Sequence, residues 1–201
     1  LKGKVTLGSL RVRQDFLIAD GLIGRYETDT SKRAEITDMA LKRLRQLAAH
    51  EVGHTIGLPH NYISSIFNRA SVMDYPHPLA EEKQGKIVLT NAYTQEIGPY
   101  DKVSIEYGYR EFSQENEKVA LDALVKKAIQ EGHVFLTDQD ARPDGSEHPG
   151  THLWDNGSDA TLELKRVMSI RKTVLDNFDE NKIPQGQSMA TLEEVFVPMY
   201  M

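Results

Sequence analysis

Three closely spaced histidines, His50, His54 and His60, are the residues best suited to chemistry in this sequence. On a helix, side chains four positions apart lie one above the other, so the imidazoles of His50 and His54 could converge on one ion. A straight helix cannot supply a third ligand from the right direction, but Gly57 ends the helix and the chain returns with His60. Three neutral imidazoles suit a tetrahedral Zn²⁺ ion and leave its fourth position to water, as in a catalytic site.

Glu51 directly follows the first histidine and should project toward the same side of the helix. From there its carboxylate could accept a hydrogen bond from a zinc-bound water, whose pKa zinc can lower to about 7. The carboxylate would then take the proton and pass it to the leaving amine. The pattern therefore predicts hydrolysis of a polarised carbonyl. The simpler interpretation, an amphipathic helix with surface histidines, leaves Gly57 and His60 without a role.

The element that must position these residues is a long helix predicted over residues 31–57, with Thr30 or Ser31 as its cap. His50 and His54 lie on one side of this helix, and the apolar residues lie on roughly the opposite side. We therefore expect the apolar side to face the core. The residues predicted to do so are Leu41, Leu44, Ala48, Val52 and Ile56.

The remaining elements are predicted less sharply. Residues 4–10 and 12–18 have the composition of extended strands, although the second stretch could equally begin a helix. Asp20 and Gly21 predict a turn. Irregular structure is expected over residues 61–97, with a short strand at 86–89. Further helices are predicted at 99–109, 115–131 and 159–178, with a polar loop at 137–156.

The segment from His50 to His60 resembles the long zinc signature of the metzincin metallopeptidases. Ser71-Val72-Met73-Asp74-Tyr75 stands where that superfamily has its Met-turn, a tight turn whose methionine lies beneath the zinc ligands. The resemblance thus implies this role for Met73. In the astacin-like and serralysin-like branches, a tyrosine at the offset of Tyr75 is a fifth zinc ligand that swings away to stabilise the oxyanion. The alternative for Tyr75 is a partly buried tyrosine whose hydroxyl is bonded locally.

Other parts of the chain resemble a bacterial group of large, exported and poorly characterised metzincin-like proteins. The segments that carry this resemblance are residues 7–15, 97–102, 105–110 and 152–157. It implies an exported protein, whether periplasmic, on the cell surface or extracellular. In that group a long upstream part precedes the zinc region, and a sequence that starts at Leu1 fits a fragment of such a protein. We therefore expect the upstream part of the same polypeptide to be a partner.

The resemblance also bears on substrate binding. In metzincins the substrate lies along the edge strand of a sheet that precedes the zinc helix. The 30 residues before Ser31 are too few for a sheet of several strands. The sheet is therefore expected to be mostly truncated, with residues 4–10 as one remaining strand.

Composition excludes several classes of function. The chain has 201 residues, of which 39% are hydrophobic and 27% charged, as in soluble globular proteins. Its net charge of -6 and scattered basic residues give no support to binding of nucleic acid or of a membrane surface. No apolar run is long enough to span a bilayer. The absence of cysteine excludes disulfides and thiolate metal ligands.

Two weaker patterns occur in the polar loop at 137–156. His148 and His152 are four residues apart, but a proline and a glycine between them prevent helical geometry. Residues 138–145 hint at a calcium loop, yet an arginine and a proline stand where such a loop needs an oxygen ligand and a glycine. A polar turn fits this stretch better.

Together these observations predict an α+β, mainly helical protein. Residues 1–110 would form a metzincin-like catalytic core with a truncated N-terminal sheet, and residues 111–201 a helical C-terminal subdomain. The predicted function is zinc-dependent hydrolysis of peptide bonds in a peptide or protein substrate, with Glu51 as the general base. Two alternatives remain: a zinc amidase that acts on a non-protein substrate, and a non-catalytic zinc-binding or scaffold module of a larger exported protein.

Overall fold

The computed structural model describes residues 3–25, 31–113, 116–141, 143–145, 148–151, 153–154 and 156–200. Within them the structure is mainly helical, which confirms the predicted class, α+β with few strands. The helices are α1 (Ser9–Ile23), α2 (Ser31–Thr55), α3 (Pro99–Tyr109), α4 (Glu117–Gln130), α5 (Asp138–Ala141), α6 (Ala160–Asp176) and α7 (Met189–Tyr200). The strands are β1 (Glu81–Lys83) and β2 (Lys86–Val88), and short 3-10 turns occur at Ser64–Phe67 and Glu180–Lys182. No helix in the described ranges is long and apolar enough to cross a membrane.

The chain divides into two compact units, each built from separate segments. Unit 1 consists of Leu1–Val5, Gln46–His77 and Glu96–Ala160. Unit 2 consists of Thr6–Arg45, Pro78–Gln95 and Thr161–Met201. These units do not follow a division at residue 110, and the existence of separate domains at 1–110 and 111–201 stays a prediction.

Unit 2 contains a hydrophobic core to which α1, α2, α6, α7 and the β hairpin contribute. Strands β1 and β2 pair antiparallel, with Glu81 opposite Val88. Helices α1 and α7 approach closely because Gly21 has no side chain: a Cβ there would lie 2.7 Å from Cγ of Met199. The buried members of the core are Ala19, Ile23, Ile36, Met39, Ala80, Ile87, Leu89, Ala92, Tyr93, Ile170, Val174 and Met199.

The N-terminal residues differ from the prediction. Residues 3–8 belong to neither a helix nor a strand, and α1 begins at Ser9. The strand expected at 4–10 and the turn expected at Asp20-Gly21 are therefore wrong, whereas the alternative of a helix at 12–18 is confirmed. The physical reason is tertiary: as a helix, this stretch buries Ala19 and Ile23 in the core of unit 2, and such packing outweighs a local preference for extended structure.

Helix α2 is confirmed, but it buries a different face from the one predicted. Leu41 and Val52 are 44% and 51% exposed, and the other three predicted core positions are only partly buried. The buried face instead carries the polar side chains of Arg43, Gln46 and His50 alongside Ile36 and Met39. The Arg43 guanidinium lies over the Tyr93 ring, 5.1 Å from its centroid. Hydrophobic periodicity cannot reveal that a polar side chain such as Arg43 is buried, because its partner, Tyr93, comes from a distant part of the chain.

The later elements largely agree with the prediction. Helices α3, α4 and α6 correspond to the helices expected at 99–109, 115–131 and 159–178, and β2 corresponds to the strand expected at 86–89. Residue 115 lies outside the described residues, as do Thr30 and the side chain of Ser31, so the N-terminal cap of α2 stays a prediction. Helix α7 was not predicted.

Unit 2 also buries a lysine. Lys182, in the 3-10 turn Glu180–Lys182, is only 3% exposed. Burial, together with the positive charge of Arg25, lowers the pKa of its amine to about 8 from the ordinary 10.5. At neutral pH the folded protein therefore keeps a charge in a poorly solvated position, which is unfavourable.

Replacing Lys182 with Met should stabilise the protein at pH 7, by up to about 3 kcal/mol. Below pH 8 both the folded and the unfolded chain hold the proton, and the folded state carries the full penalty. Between pH 8 and 10.5 only the unfolded chain still holds it, so the wild type gains stability as pH rises. The advantage of the variant should shrink over that window. Urea unfolding at pH 7 and pH 10 measures both effects.

The control is Lys172→Met, since the Lys172 side chain is 75% exposed. This variant should change stability little at either pH. A loss of stability in Lys182→Met at pH 7 would show that the buried ammonium is a net stabilising group.

Candidate metal centre

The candidate site begins where α2 ends. Gly57 has a positive φ of 89°, which glycine adopts without strain. The Leu58 N–H donates to the Gly53 carbonyl at 3.0 Å, and the Gly57 N–H donates to the His54 carbonyl at 3.0 Å. This pair of bonds is a Schellman motif. It ends the helix and turns the chain so that His60 comes back toward the last turn of α2.

His50, His54 and His60 come together in unit 1. One ligand nitrogen from each lies within 4.8 Å of the other two, a grouping that could hold a metal ion. The ring centroids are 4.7 Å apart for His50 and His54, 5.3 Å for His50 and His60, and 4.8 Å for His54 and His60. His50 is buried, and the other two are more accessible.

Each of the three imidazoles is held by a hydrogen bond at Nδ1. The acceptors are the Val72 carbonyl for His50, at 2.7 Å, and the Leu58 carbonyl for His54, at 2.8 Å. For His60 the acceptor is the Asp138 carboxylate, at 2.8 Å. Because these groups accept, Nδ1 must carry the proton. The Nε2 lone pair of each ring is then the one available to a metal. This donor set fits zinc.

The acceptor for His50 is itself fixed by a buried carboxylate. Asp101, near the start of α3, accepts hydrogen bonds from the Val72 N–H at 2.8 Å, the Ser71 hydroxyl at 2.5 Å and the Gly98 N–H at 2.7 Å. Burial raises the pKa of Asp101, and these three hydrogen bonds act in the opposite direction. Gly98 is required here because a Cβ would lie 1.9 Å from the Ala70 carbonyl oxygen.

Met73 lies in the same segment and is fully buried. Its sulfur packs against α2 at Gly53, where an added Cβ would lie 2.4 Å from it. Its carbonyl accepts a hydrogen bond from the Asn61 N–H, at 2.9 Å. Met73 therefore contacts the helix between two of the histidines and is tied to the residue that follows the third. Its role as the methionine of a Met-turn stays a prediction.

Tyr75 and Glu51 differ in how they are held. The Tyr75 hydroxyl lies 3.2 Å from Nε2 of His60, and its ring centroid lies 4.6 Å from that of His50. The phenol is thus beside the nitrogen of His60 that is available to a metal. Glu51 is partly buried, and no hydrogen-bond partner for its carboxylate occurs among the described residues. The catalytic roles of Tyr75 and Glu51 stay predictions.

Three residues near the site had no signal in the sequence. Asp138 and Tyr62 form a small network with His60, in which the Tyr62 hydroxyl donates to Asp138 at 3.1 Å. Trp154 donates its backbone N–H to the Tyr75 carbonyl at 3.0 Å, and its ring centroid lies 5.8 Å from that of Tyr75. Asp138 lies 78 positions after His60, and Trp154 lies 79 positions after Tyr75, so no local pattern connects these pairs. Tyr62 is only two residues after His60, but the carboxylate that its hydroxyl contacts is 76 positions away.

The weaker metal pattern at His148 and His152 stays a prediction, because His152 lies outside the described residues. His148 is described, and its Nδ1 accepts a hydrogen bond from the Gly150 N–H. It does not belong to the three-histidine cluster. The stretch that hinted at a calcium loop contributes Asp138 to the histidine site instead.

Comparison with known proteins gives one family. Residues 32–201 match the family described as Met-zincin, a match that includes the three histidines and most of both units. Comparisons with curated proteins and with solved structures gave no match. The family match and the geometry of the histidine cluster agree, and the resemblance to the metzincins is confirmed. The chain belongs to the Met-zincin family.

Proposed function

We propose that the protein is a zinc-dependent peptidase whose metal ion is held by His50, His54 and His60. The observation that carries the proposal is the Nδ1 bonding of all three rings, which leaves their Nε2 atoms available, in a cluster whose ligand nitrogens could hold one ion. Membership of the Met-zincin family supports the same function. The segments that resemble exported bacterial proteins further suggest a location outside the cytoplasm.

When bound, zinc would supply a Lewis acid that polarises the scissile carbonyl and acidifies a water molecule. The chain's own residues would then move the proton. Glu51, whose carboxylate is otherwise unengaged among the described residues, takes the proton from the attacking water and delivers it to the leaving amine. Tyr75, beside His60, donates a hydrogen bond to the carbonyl oxygen as negative charge develops on it.

Two other functions use the same residues. A zinc amidase that acts on a non-protein substrate would differ only in what it cleaves, so a substrate profile separates it from a peptidase. A non-catalytic zinc-binding module would keep the histidines but would not need Glu51. The presence of an unengaged glutamate beside the first ligand favours catalysis over this second alternative.

The Glu51→Gln variant should bind zinc as the wild type does but lose about 10²- to 10⁴-fold in cleavage of an unfolded protein substrate, since it removes the proton acceptor. Metal analysis and a peptidase assay measure the two properties. Glu111→Gln is the matched control, because Glu111 is exposed on the surface of the same unit. Equal cleavage by Glu51→Gln and the wild type would exclude the proposed base. Bound zinc without turnover in the wild type would support the binding-module alternative.

The Tyr75→Phe variant tests the phenol. Removing a donor to the developing oxyanion should lower kcat by about 100-fold, with little change in KM. Tyr107→Phe, at an exposed position that is 52% accessible, is the control. Unchanged turnover with intact zinc binding would assign Tyr75 to a purely local role.

The Asp138→Asn variant tests whether Asp138 is a positioning residue for the third ligand. An amide accepts more weakly from Nδ1–H of His60 than a carboxylate does. Zinc affinity, measured by competition with a chromophoric chelator, should therefore fall by about 10- to 100-fold. Asp140→Asn, on the same short helix but exposed, should have no such effect. If Asp138→Asn lowers the melting temperature of the metal-free protein but leaves zinc affinity unchanged, Asp138 has only a structural role.

A further inference from the structure

Unit 2 contains a cavity of about 430 Å³ whose lining residues include none of the zinc-site residues. This volume is within the range of pockets that bind small molecules. Four lining residues are basic, and among the described residues no aspartate or glutamate lines the cavity. One of the four, Lys32, is neutralised by an ion pair with Glu35 at 2.7 Å. Three cations remain, namely Arg25, Lys86 and Lys182.

Lys182 is the most unusual of these cations, because only 3% of its surface is exposed to solvent. Its ammonium group makes one hydrogen bond in the described part of the chain, a long one of 3.5 Å to the Leu22 carbonyl. Asp179 and Asp20 attract its charge, but each does so more weakly than Arg25 repels it. A buried ammonium group that lacks an ion-pair partner is unfavourable unless something anionic joins it.

The other two cations leave room for such an anion. Arg25 donates one bond, 3.3 Å long, to the side-chain oxygen of Asn177, and a guanidinium has four further N–H donors. Lys86 is exposed at the start of β2 and has no ion pair within the described residues. The rest of the wall includes the aliphatic side chains of Ile87 and Val174. The cavity thus combines positive charge with an apolar surface.

We propose that this cavity binds a small organic anion, whose oxyanion head group contacts Arg25, Lys86 and Lys182 and whose apolar body lies against the aliphatic wall. Carboxylates and phosphates share this chemistry, because both offer several oxygens to charge-assisted hydrogen bonds. The site is independent of the proposed peptidase function, since it shares no residue with the histidine cluster.

Isothermal titration calorimetry at low salt tests the proposal with four probes: phenyl phosphate, phenylacetate, inorganic phosphate and benzyl alcohol. We expect saturable binding of the two aromatic anions, weaker binding of inorganic phosphate and none of the neutral alcohol. The relative affinities of phenyl phosphate and phenylacetate then identify the preferred head group. Bound anion should also raise the melting temperature of the protein, because it binds the folded state.

Variants decide where the anion binds. Lys182→Met and Lys86→Gln should each weaken binding by about tenfold or more, the usual effect of losing a hydrogen bond to a charged group. Lys86 is exposed, so its replacement tests the site without disturbing the core. Lys172→Gln is the matched control, since it removes the same charge from α6 at a residue that does not line the cavity, and it should leave binding unchanged.

Two results would overturn the proposal. One is the absence of binding by every anion. The other is binding that persists in both Lys182→Met and Lys86→Gln, which would put the anion elsewhere. If that persistent binding is then lost in His54→Ala, the anion binds at the metal centre and not in the cavity.

Discussion

The hydrogen bond from Nδ1 of His50 to the Val72 carbonyl is the contact on which the candidate metal centre depends. It joins the helix that carries two histidines to the segment that carries Met73 and Tyr75, and it fixes which nitrogen of His50 is available to a metal. An imidazole that rotated or changed tautomer would present an N–H instead of a lone pair. A metal site needs its ligands oriented in advance, since orienting them on binding would weaken affinity.

The same bond explains why a carboxylate is buried nearby. The Val72 carbonyl can hold His50 only if Val72 itself is held, and Asp101 does this by accepting hydrogen bonds from its N–H and from the Ser71 hydroxyl. Burial of a carboxylate is unfavourable unless its oxygens are satisfied. Here three donors satisfy them, so the group can act as a rigid anchor. Positioning of the site therefore extends from α2 through Val72 to the first turn of α3.

Unit 2 presents the opposite case, a buried charge with too few partners among the described residues. The Lys182 ammonium group makes one long hydrogen bond among the described residues, and burial, together with the charge of Arg25, lowers its pKa. Asp101 and Lys182 are similarly buried, but within the described part of the protein only Asp101 has a complete set of hydrogen bonds. Asp101 therefore suits a structural role, whereas Lys182 suits the binding of an anionic ligand.

Part of this protein could be predicted from its sequence, and the division has a physical basis. Interactions within a few residues were determined locally: α2, the stacking of His50 above His54 and the reversal at Gly57 all depend on backbone conformation over one or two turns. Only the tertiary structure decided which face of α2 is buried, that residues 9–23 form a helix, and that Asp138 holds His60 across 78 positions. Each of these depends on a partner distant in sequence, and residue spacing carries no information about such a partner.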